Sequence, residues 1–235
     1  MPFCRFLALL PVLFLASISA AQTYTFIPII PPVTYAVVGA PFTVEYETIA
    51  TEIRPDGGEA QFHVYGRIYH DSAGRQRYEQ TSENPKFSSI TIFDVVAERT
   101  IKLDPSSSTA KVILLNPKVK VPASRPIAWR KEIPRPAETE ALGTQEIAGL
   151  QAEGTRRIYI SMVGPEGDKH EIRIVDELWT SPLYRMPLLH IYDDPSRGKS
   201  VSRVTMFAAG EPDPQLFRIP RGYKITVESA RPRRH

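Results

Sequence analysis

Hydrophobic and polar residues alternate one for one over most of the chain after Pro41. In "FTVEYETIATEI", Phe42, Val44 and Tyr46 point to one side of an extended backbone, and the residues between them point to the other. This period of two is typical of a strand with one buried face. No apolar stripe of helical period is longer than about two turns, so the pattern predicts a mainly β chain.

Turn sequences rich in Gly and Asp separate the alternating segments. "RPDGGE" and "DSAGR" lie on either side of the strand-like "AQFHVYGRIYH", and both predict hairpin turns. The segments that follow are "RQRYEQTS", "SSITIFDV", "ERTIKL" and "AKVILL". The first half is therefore predicted to be an antiparallel meander of about six strands.

Residues 116–137 interrupt the alternation. Their five prolines oppose pairing in a sheet, so we expect a long Pro-rich connector. Alternation resumes in "TEALGTQEIAGLQAEGTRRIYISM", "HEIRIVDELWTS", "YRMPLLHIYD" and "KSVSRVTMFAA". The second half is thus predicted to be another antiparallel run, and residues 41–227 a single β domain.

The segment "EPDPQLFRIPRGYKI" contains the one short helix that we expect. Asp213 is a natural helix cap, and Pro214 fits the first helical position. Leu216 and Phe217 would then plug one end of the sheet. "KITV" is predicted to pair as the last strand, before a basic tail at 228–235.

The same segment resembles the C-terminal signature of periplasmic proteins related to the lipoprotein carriers LolA and LolB. Those proteins end with an acidic-Pro turn, a Leu-Phe pair, a Pro and a Gly-aromatic. "RIYHDSAGRQRYEQ" and "EALGTQEIAGLQAEGTRRIYI" also resemble segments of secreted, uncharacterised acidobacterial-type proteins with this ending. The resemblance implies a curved, incompletely closed antiparallel sheet, a LolA-like open barrel with few or very short helices.

The resemblance further implies that the concave face of the sheet holds an apolar ligand, such as a lipid or a lipoprotein acyl chain. The carriers pack helices on that face, and this chain has no helical segments to do so. The Pro-rich segments are the alternative cover. The alternation nominates the lining residues: Phe42, Val44, Tyr46, Phe62, Val64, Ile68, Ile158, Ile160, Ile172, Ile174 and Leu178.

The first 21 residues resemble a secretory signal peptide. Arg5 precedes an apolar run that is too short for a membrane span and is interrupted by Pro11, and small residues lead to a predicted cleavage after Ala21. Cys4, the only cysteine, would be removed, so a disulfide-free core must stabilise the mature chain. We expect a secreted or periplasmic protein in which residues 22–40 form a Pro-rich apolar leader.

Motifs for catalysis, metal or cofactor binding are missing from the sequence. "HIYDD" is the most metal-like cluster, but His190 and Asp194 supply only two ligands on one strand face, with Asp193 pointing away. His70 with Asp71 is more typical of a hairpin turn than of a catalytic pair. Glu45 and Glu47, which share a strand face, are more typical of a solvated surface than of a glycosidase site.

The connector is the most basic part of the chain. A net charge of +3, with basic and acidic residues interleaved elsewhere, gives no reason to expect nucleic-acid binding. The basic and aromatic connector residues are candidates for contact with anionic headgroups or cell-wall polymer: Lys118, Lys120, Arg125, Trp129, Arg130, Lys131 and Arg135. A solvated linker is the alternative interpretation.

The sequence therefore favours a non-enzymatic envelope protein that binds an apolar or amphiphilic component. One alternative is a structural or protein-interaction module with a filled interior and an envelope protein partner. The other is a hydrolase whose site gathers His190, Asp193 or His70 beside a serine. We expect no cofactor and no metal, and the sequence leaves the oligomeric state open.

Overall fold

The protein forms one open sheet of twelve strands, in a computed structural model that describes residues 39–54, 56–83, 88–114, 135–165 and 167–229. The strands are β1 (Phe42–Ile53), β2 (Glu59–His70), β3 (Gln76–Ser82), β4 (Ser89–Asp94), β5 (Arg99–Asp104), β6 (Thr109–Leu114), β7 (Glu138–Ile147), β8 (Leu150–Val163), β9 (His170–Ser181), β10 (Met186–Asp194), β11 (Gly198–Ala209) and β12 (Lys224–Ser229). One 3-10 turn, Pro214–Phe217, is the only helical element among these described ranges. The predicted fold class is confirmed.

The strand order is β12-β6-β5-β4-β3-β2-β1-β11-β10-β9-β8-β7. The predicted meander β1–β6 extends from the middle of the sheet toward one edge. The strands β7–β11 begin at the other edge and return to the middle, where β11 pairs with β1. Because β12 and β7 are not paired with each other, the twelve described strands do not close into a barrel.

The cross-strand register separates two faces of the sheet. We call them the Phe42 face, which carries Phe42, Val44 and Tyr46 of β1, and the Glu45 face, which carries the alternate residues Glu45 and Glu47. A residue directly opposite another in the ladder lies on the same face. Burial alternates along β1 accordingly, because at this strand the Phe42 face is packed and the Glu45 face is not.

Within the first meander, the residues of two apolar clusters lie on opposite faces. The larger one includes Phe42 and Val44 on the Phe42 face. The smaller one contains Ile92 and Ile101. Ile92 lies opposite Arg77, which lies opposite Tyr69 and thereby on the Glu45 face. The buried side of the sheet therefore changes between β2 and β4.

The C-terminal segment covers the smaller cluster. The Asp213 carboxylate accepts a hydrogen bond from the Gln215 amide at 2.9 Å, which confirms the predicted cap. Phe217 is buried to 2% exposure against the cluster, as expected for a plug at one end of the sheet. The Arg77 guanidinium donates to the Leu216 carbonyl at 2.8 Å and fixes the turn to β3.

The last strand pairs differently from the antiparallel expectation. β12 runs parallel to β6, with Lys224 opposite Thr109, whereas the other ten strand pairs of the sheet are antiparallel. The parallel direction follows from the crossing of the segment that contains Phe217 over the sheet. β12 ends at Ser229, two residues into the stretch predicted as a tail.

A glycine makes room for an aromatic ring at the centre of the sheet. Tyr46 of β1 lies opposite Gly66 of β2. A Cβ added to Gly66 would lie 2.0 Å from Cζ of the Tyr46 ring, so the ring occupies the space above this glycine. Tyr46 is 6% exposed, and burial raises its pKa to about 12.

Candidate functional site

Six of the predicted lining residues lie together on the Phe42 face. Val44 is opposite Ile68, Thr48 is opposite Val64, and Ala50 is opposite Phe62. Because these positions alternate with those of the Glu45 face, the first two strands place Phe42, Val44, Tyr46, Phe62, Val64 and Ile68 on one side.

Most of these residues are buried by the protein itself. Phe42, Val44, Val64 and Ile68 are at most 2% exposed, and only Phe62 among the six is half-buried. Around Phe42 the space is filled by aromatic rings. The rings of Tyr184 and Phe207 lie 5.6 and 5.9 Å from it, centroid to centroid. This end of the Phe42 face is a packed core.

His70 completes that aromatic group. Its ring stacks on Phe42 at 5.1 Å, its Nδ1 lies 3.2 Å from the Ala40 carbonyl oxygen, and its Nε2 has no hydrogen-bond partner among the described residues. Burial lowers the pKa of His70, while the Ala40 carbonyl and the charges of Asp71 and Glu211 oppose that shift. The neutral ring is therefore favoured.

The other five predicted residues are divided between the two faces. Tyr159 lies opposite Ile174, and Ser161 lies opposite Ile172. The alternate β8 residues Ile158 and Ile160 therefore lie on the opposite face from the predicted β9 residues Ile172 and Ile174. Ile158 and Ile160 pair with Val175 and Arg173.

The three predicted residues of β9, Ile172, Ile174 and Leu178, do lie on the Phe42 face. Thr48 is opposite Ser202, Ser202 is opposite His190, and His190 is opposite Leu178. This row of four residues crosses β1, β11, β10 and β9. By alternation, Ile172 (9% exposed) and the half-buried Ile174 lie on the same side as Leu178.

Polar groups form the middle of this row. The hydroxyls of Thr48 and Ser202 are 2.8 Å apart, and both residues are at most 2% exposed. Nε2 of His190 lies 2.8 Å from a carboxylate oxygen of Asp176. Ile174, Asp176 and Leu178 alternate along β9, so the polar pair has half-buried aliphatic side chains on both sides.

The pairing of His190 with Asp176 differs from the cluster that the sequence suggested. Asp194 instead accepts hydrogen bonds from the amide and hydroxyl of Ser196 and shapes the following turn. Asp193 pairs with Lys199 at 3.1 Å. The described part of the chain contains no group of three or more His, Cys, Asp or Glu side chains placed to hold a metal ion.

Asp176 was not predicted as a site residue. Its signal in the sequence is a carboxylate inside an otherwise apolar alternation, Ile172-x-Ile174-x-Asp176-x-Leu178. A charged residue at such a position needs a partner when it is partly buried. The partner itself could not be identified, because the pairing of β9 with β10 is not encoded in the local pattern.

The remaining titratable candidates have structural partners. Glu45 is paired with Arg67, and Glu47 lies 3.5 Å from the His63 ring. Asp71 accepts two hydrogen bonds from Arg75 within its hairpin. These contacts agree with the expectation of turn and surface roles.

A shallow polar depression of about 240 Å³ lies on the Glu45 face. Glu45, Arg67 and Glu79, which form one cross-strand row, line it together with Tyr65. Its lining is charged, so it does not match the apolar ligand expected from the sequence.

The basic connector residues Lys118, Lys120, Arg125, Trp129, Arg130 and Lys131 lie outside the described residues, as do residues 1–21 and most of the leader. Arg135 is exposed next to β7. In the described ranges, no helix has the length and apolar character needed to cross a membrane.

Comparison with known proteins finds no matching family model and no match among curated proteins. Solved structures do match. An uncharacterised conserved protein from Thermus thermophilus is 12% identical over 81% of this chain and 92% of that one, with a TM-score of 0.47. MucB, in the Pseudomonas aeruginosa MucA/MucB complex, is 15% identical over 83% of this chain and 60% of that one, with a TM-score of 0.42. A LolA superfamily protein from Nitrosomonas europaea is 9% identical over 79% of this chain and 93% of that one, with a TM-score of 0.35. These similarities assign neither a family nor a function to the chain.

Proposed function

We propose that this protein is a secreted or periplasmic, non-enzymatic protein that binds an apolar or amphiphilic envelope component. The ligand class is a lipid or a lipoprotein acyl chain, and the binding surface is the Phe42 face. The N-terminal signal-like segment supports the location. The LolA-like C-terminal signature supports the ligand class.

One structural observation carries the choice of surface. Beyond its packed core, the Phe42 face continues as the half-buried strip Ile174, Asp176 and Leu178, with His190 beside it. Aliphatic side chains match an acyl chain, and a His–Asp pair offers hydrogen bonds to a polar headgroup. An amphiphile therefore fits this strip better than a purely polar ligand does.

The packed core narrows the part of the face available to a ligand. Neighbouring side chains leave no space for a ligand at the most buried positions, Phe42, Val44, Val64 and Ile68. These four residues form a rigid support for the rest of the face. The half-buried Phe62, Ile174 and Leu178 are the contacts we propose for the ligand. The basic connector residues are a second proposed contact, with anionic headgroups.

The test is native mass spectrometry of the chain purified from a periplasm under mild conditions, followed by solvent extraction and lipid analysis. A stoichiometric adduct that organic solvent removes is expected. Ile174→Asn should lower the fraction of loaded protein, because it places an amide on the proposed strip. The matched control Ile160→Asn alters the opposite face and should leave loading unchanged.

Two results would contradict the proposal. One is a clean apo mass that persists after incubation with envelope lipids. The other is equal loading of the two asparagine variants. Either result would favour the protein-interaction module, whose filled interior agrees with the packing around Phe42.

The hydrolase alternative rests on Ser202, which lies opposite His190. Its hydroxyl is engaged by Thr48 and is buried away from solvent, which is unfavourable for a nucleophile that must reach a substrate. Turnover of ester or glycan substrates that His190→Ala abolishes would establish this alternative. We expect no turnover from the unmodified chain.

A further inference from the structure

The edge strand β12 exposes both of its faces. All six of its residues are exposed, and Ile225 and Val227 show 54% and 59% of their surface to solvent. β12 pairs with β6 on one side and with no other strand of the described residues on its outer side. An edge of this kind presents backbone donors and acceptors to another strand.

The backbone hydrogen bonds show which groups point outward. The Lys224 amide donates to the Ser108 carbonyl at 2.9 Å, toward β6. Because successive residues of a strand alternate in direction, the amides and carbonyls of Thr226 and Glu228 also point toward β6. Those of Ile225 and Val227 point away from the sheet.

This alternation restricts the ways in which two copies of β12 can pair antiparallel about a two-fold axis. Each hydrogen-bonded pair must join an outward-pointing residue of one copy to an outward-pointing residue of the other. The two-fold axis must therefore pass between the two copies of a single β12 residue. With the axis at Thr226, Ile225 of one copy forms a hydrogen-bonded pair with the other copy's Val227. The same register places Lys224 of each copy opposite Glu228 of the other.

A shift of the axis by one residue loses this match. With the axis at Ile225, Lys224 lies opposite Thr226. With the axis at Val227, Glu228 lies opposite Thr226. The sequence "KITVE" is thus complementary to itself in charge and in shape only about Thr226, with two aliphatic pairs on one face and two Lys–Glu pairs on the other.

We propose that this protein forms a homodimer by antiparallel pairing of β12 with β12 of a second copy, centred on Thr226. Ile225 and Val227 lie opposite Ala110 and Val112 of the smaller apolar cluster, and the pairing extends that cluster across the two-fold axis. The ammonium of Lys111 on β6 lies 2.9 Å from the Glu228 carboxylate of its own copy, on the inner side of β12 and away from the proposed pairing edge. Such an isologous contact is closed and does not propagate into fibres.

The charged ends of β12 also make the edge selective. Charged residues on an edge strand oppose pairing with strands that lack the complementary charges. A second copy supplies both complements at once. Because a five-residue strand pair is a small interface, we expect a micromolar dissociation constant.

The first test is sedimentation analysis of the purified chain from low to high micromolar concentration. Lys224→Glu or Glu228→Lys alone creates two like-charge pairs and should weaken the dimer about tenfold. The combined charge swap restores opposite pairing and should recover most of the affinity. Lys111→Ala is the control for the intramolecular ion pair, and should leave dimerisation nearly unchanged.

The second test is disulfide trapping in a Cys4→Ser background. Opposed residues at a position without hydrogen bonds have Cα atoms about 4.5 Å apart, within reach of a disulfide. Thr226→Cys should therefore crosslink efficiently on mild oxidation. Ser229→Cys should not crosslink, because in this register the two copies of residue 229 are far apart although both lie on the exposed strand.

Three results would overturn the proposal. The first is that the unmodified chain sediments as a monomer at all concentrations. The second is that the chain dimerises but the single charge reversals leave the dissociation constant unchanged. The third is that the combined charge swap dimerises as weakly as the single variants. Val227→Pro guards against misfolding as an explanation, because the amide it removes points outward and the pairing with β6 is kept. It should abolish the dimer with little change in the melting temperature.

Discussion

Substitution of Gly66 by alanine should destabilise the protein through a single clash with the Tyr46 ring. The new Cβ would lie 2.0 Å from Cζ and 2.3 Å from Cε1 of the ring. Ordinary contact is near 3.5 Å, so the ring must move by about 1.5 Å in a core where Val44 and Ile68 leave little space. Overpacking of this kind costs about 1–3 kcal/mol. Complete expulsion of the ring would cost roughly 1.5–3 kcal/mol of lost burial.

We therefore expect a loss of about 2–3 kcal/mol in the free energy of unfolding. For a chain of this size that corresponds to a melting temperature lower by roughly 4–12 °C. The measurement is urea unfolding followed by far-ultraviolet circular dichroism and by the fluorescence of the buried Trp179, with and without the substitution.

A double-mutant cycle identifies the cause. Tyr46→Ala alone should cost about 3–5 kcal/mol, as for other large aromatic truncations. In that background the methyl group of Gly66→Ala enters vacant space, and alanine should be neutral or stabilising by about 0.5–1 kcal/mol because it restricts the unfolded chain. Unchanged stability of the single Gly66→Ala variant would refute the reasoning. A cost that persists without the Tyr46 ring would show that the backbone, and not the ring, requires glycine.

Three further predictions concern titration and the second apolar cluster. Burial raises the Tyr46 pKa to about 12, whereas tyrosine in the unfolded chain ionises near 10. The free energy of unfolding should therefore fall by roughly 2–3 kcal/mol as the pH rises from 10 to 12. Tyr46→Phe should remove this component of the alkaline unfolding curve. Burial lowers the His70 pKa below the ordinary 6.5, so His70 of the unfolded chain takes up a proton at higher pH than His70 of the folded chain. The free energy of unfolding should therefore decrease as the pH falls below 6.5. A His70→Phe variant that shows the same acid dependence would contradict this assignment. Phe217→Ala should cost about 3–5 kcal/mol in thermal or urea unfolding, because it leaves a cavity against Ile92 and Ile101, and a loss under about 1 kcal/mol would mean that the C-terminal segment does not stabilise the sheet.

The local features of this fold could be predicted because the residues that form them are neighbours in sequence. Alternation identified the strands of the first meander, and "DSAGR" identified the hairpin between β2 and β3. Asp213 and Pro214 identified the 3-10 turn. Each of these signals comes from the conformational preference of a few residues.

The non-local features could not be predicted from alternation. Alternation shows that a strand has one buried face but not which side of the sheet is covered, so it does not predict the change of buried face between β2 and β4. It also could not show that Ile158 and Ile160 lie opposite to Ile172 and Ile174, because that depends on the register of β8 with β9. The His190–Asp176 pair and the parallel direction of β12 depend on register and chain crossing in the same way.

The pairing of β1 with β11 determines when the middle of the sheet can form. Thr48 and Ser202, joined across this pair, are 154 residues apart. Each of β2 to β6 can pair with its predecessor soon after it is synthesised, whereas the second edge of β1 stays unpaired until β11 has been made. The backbone donors and acceptors on that edge of β1 therefore stay open during most of translation, and unpaired strand edges are prone to aggregate. A chain that stops before Gly198 retains this exposed edge permanently, so premature termination should yield insoluble product and not a smaller folded domain.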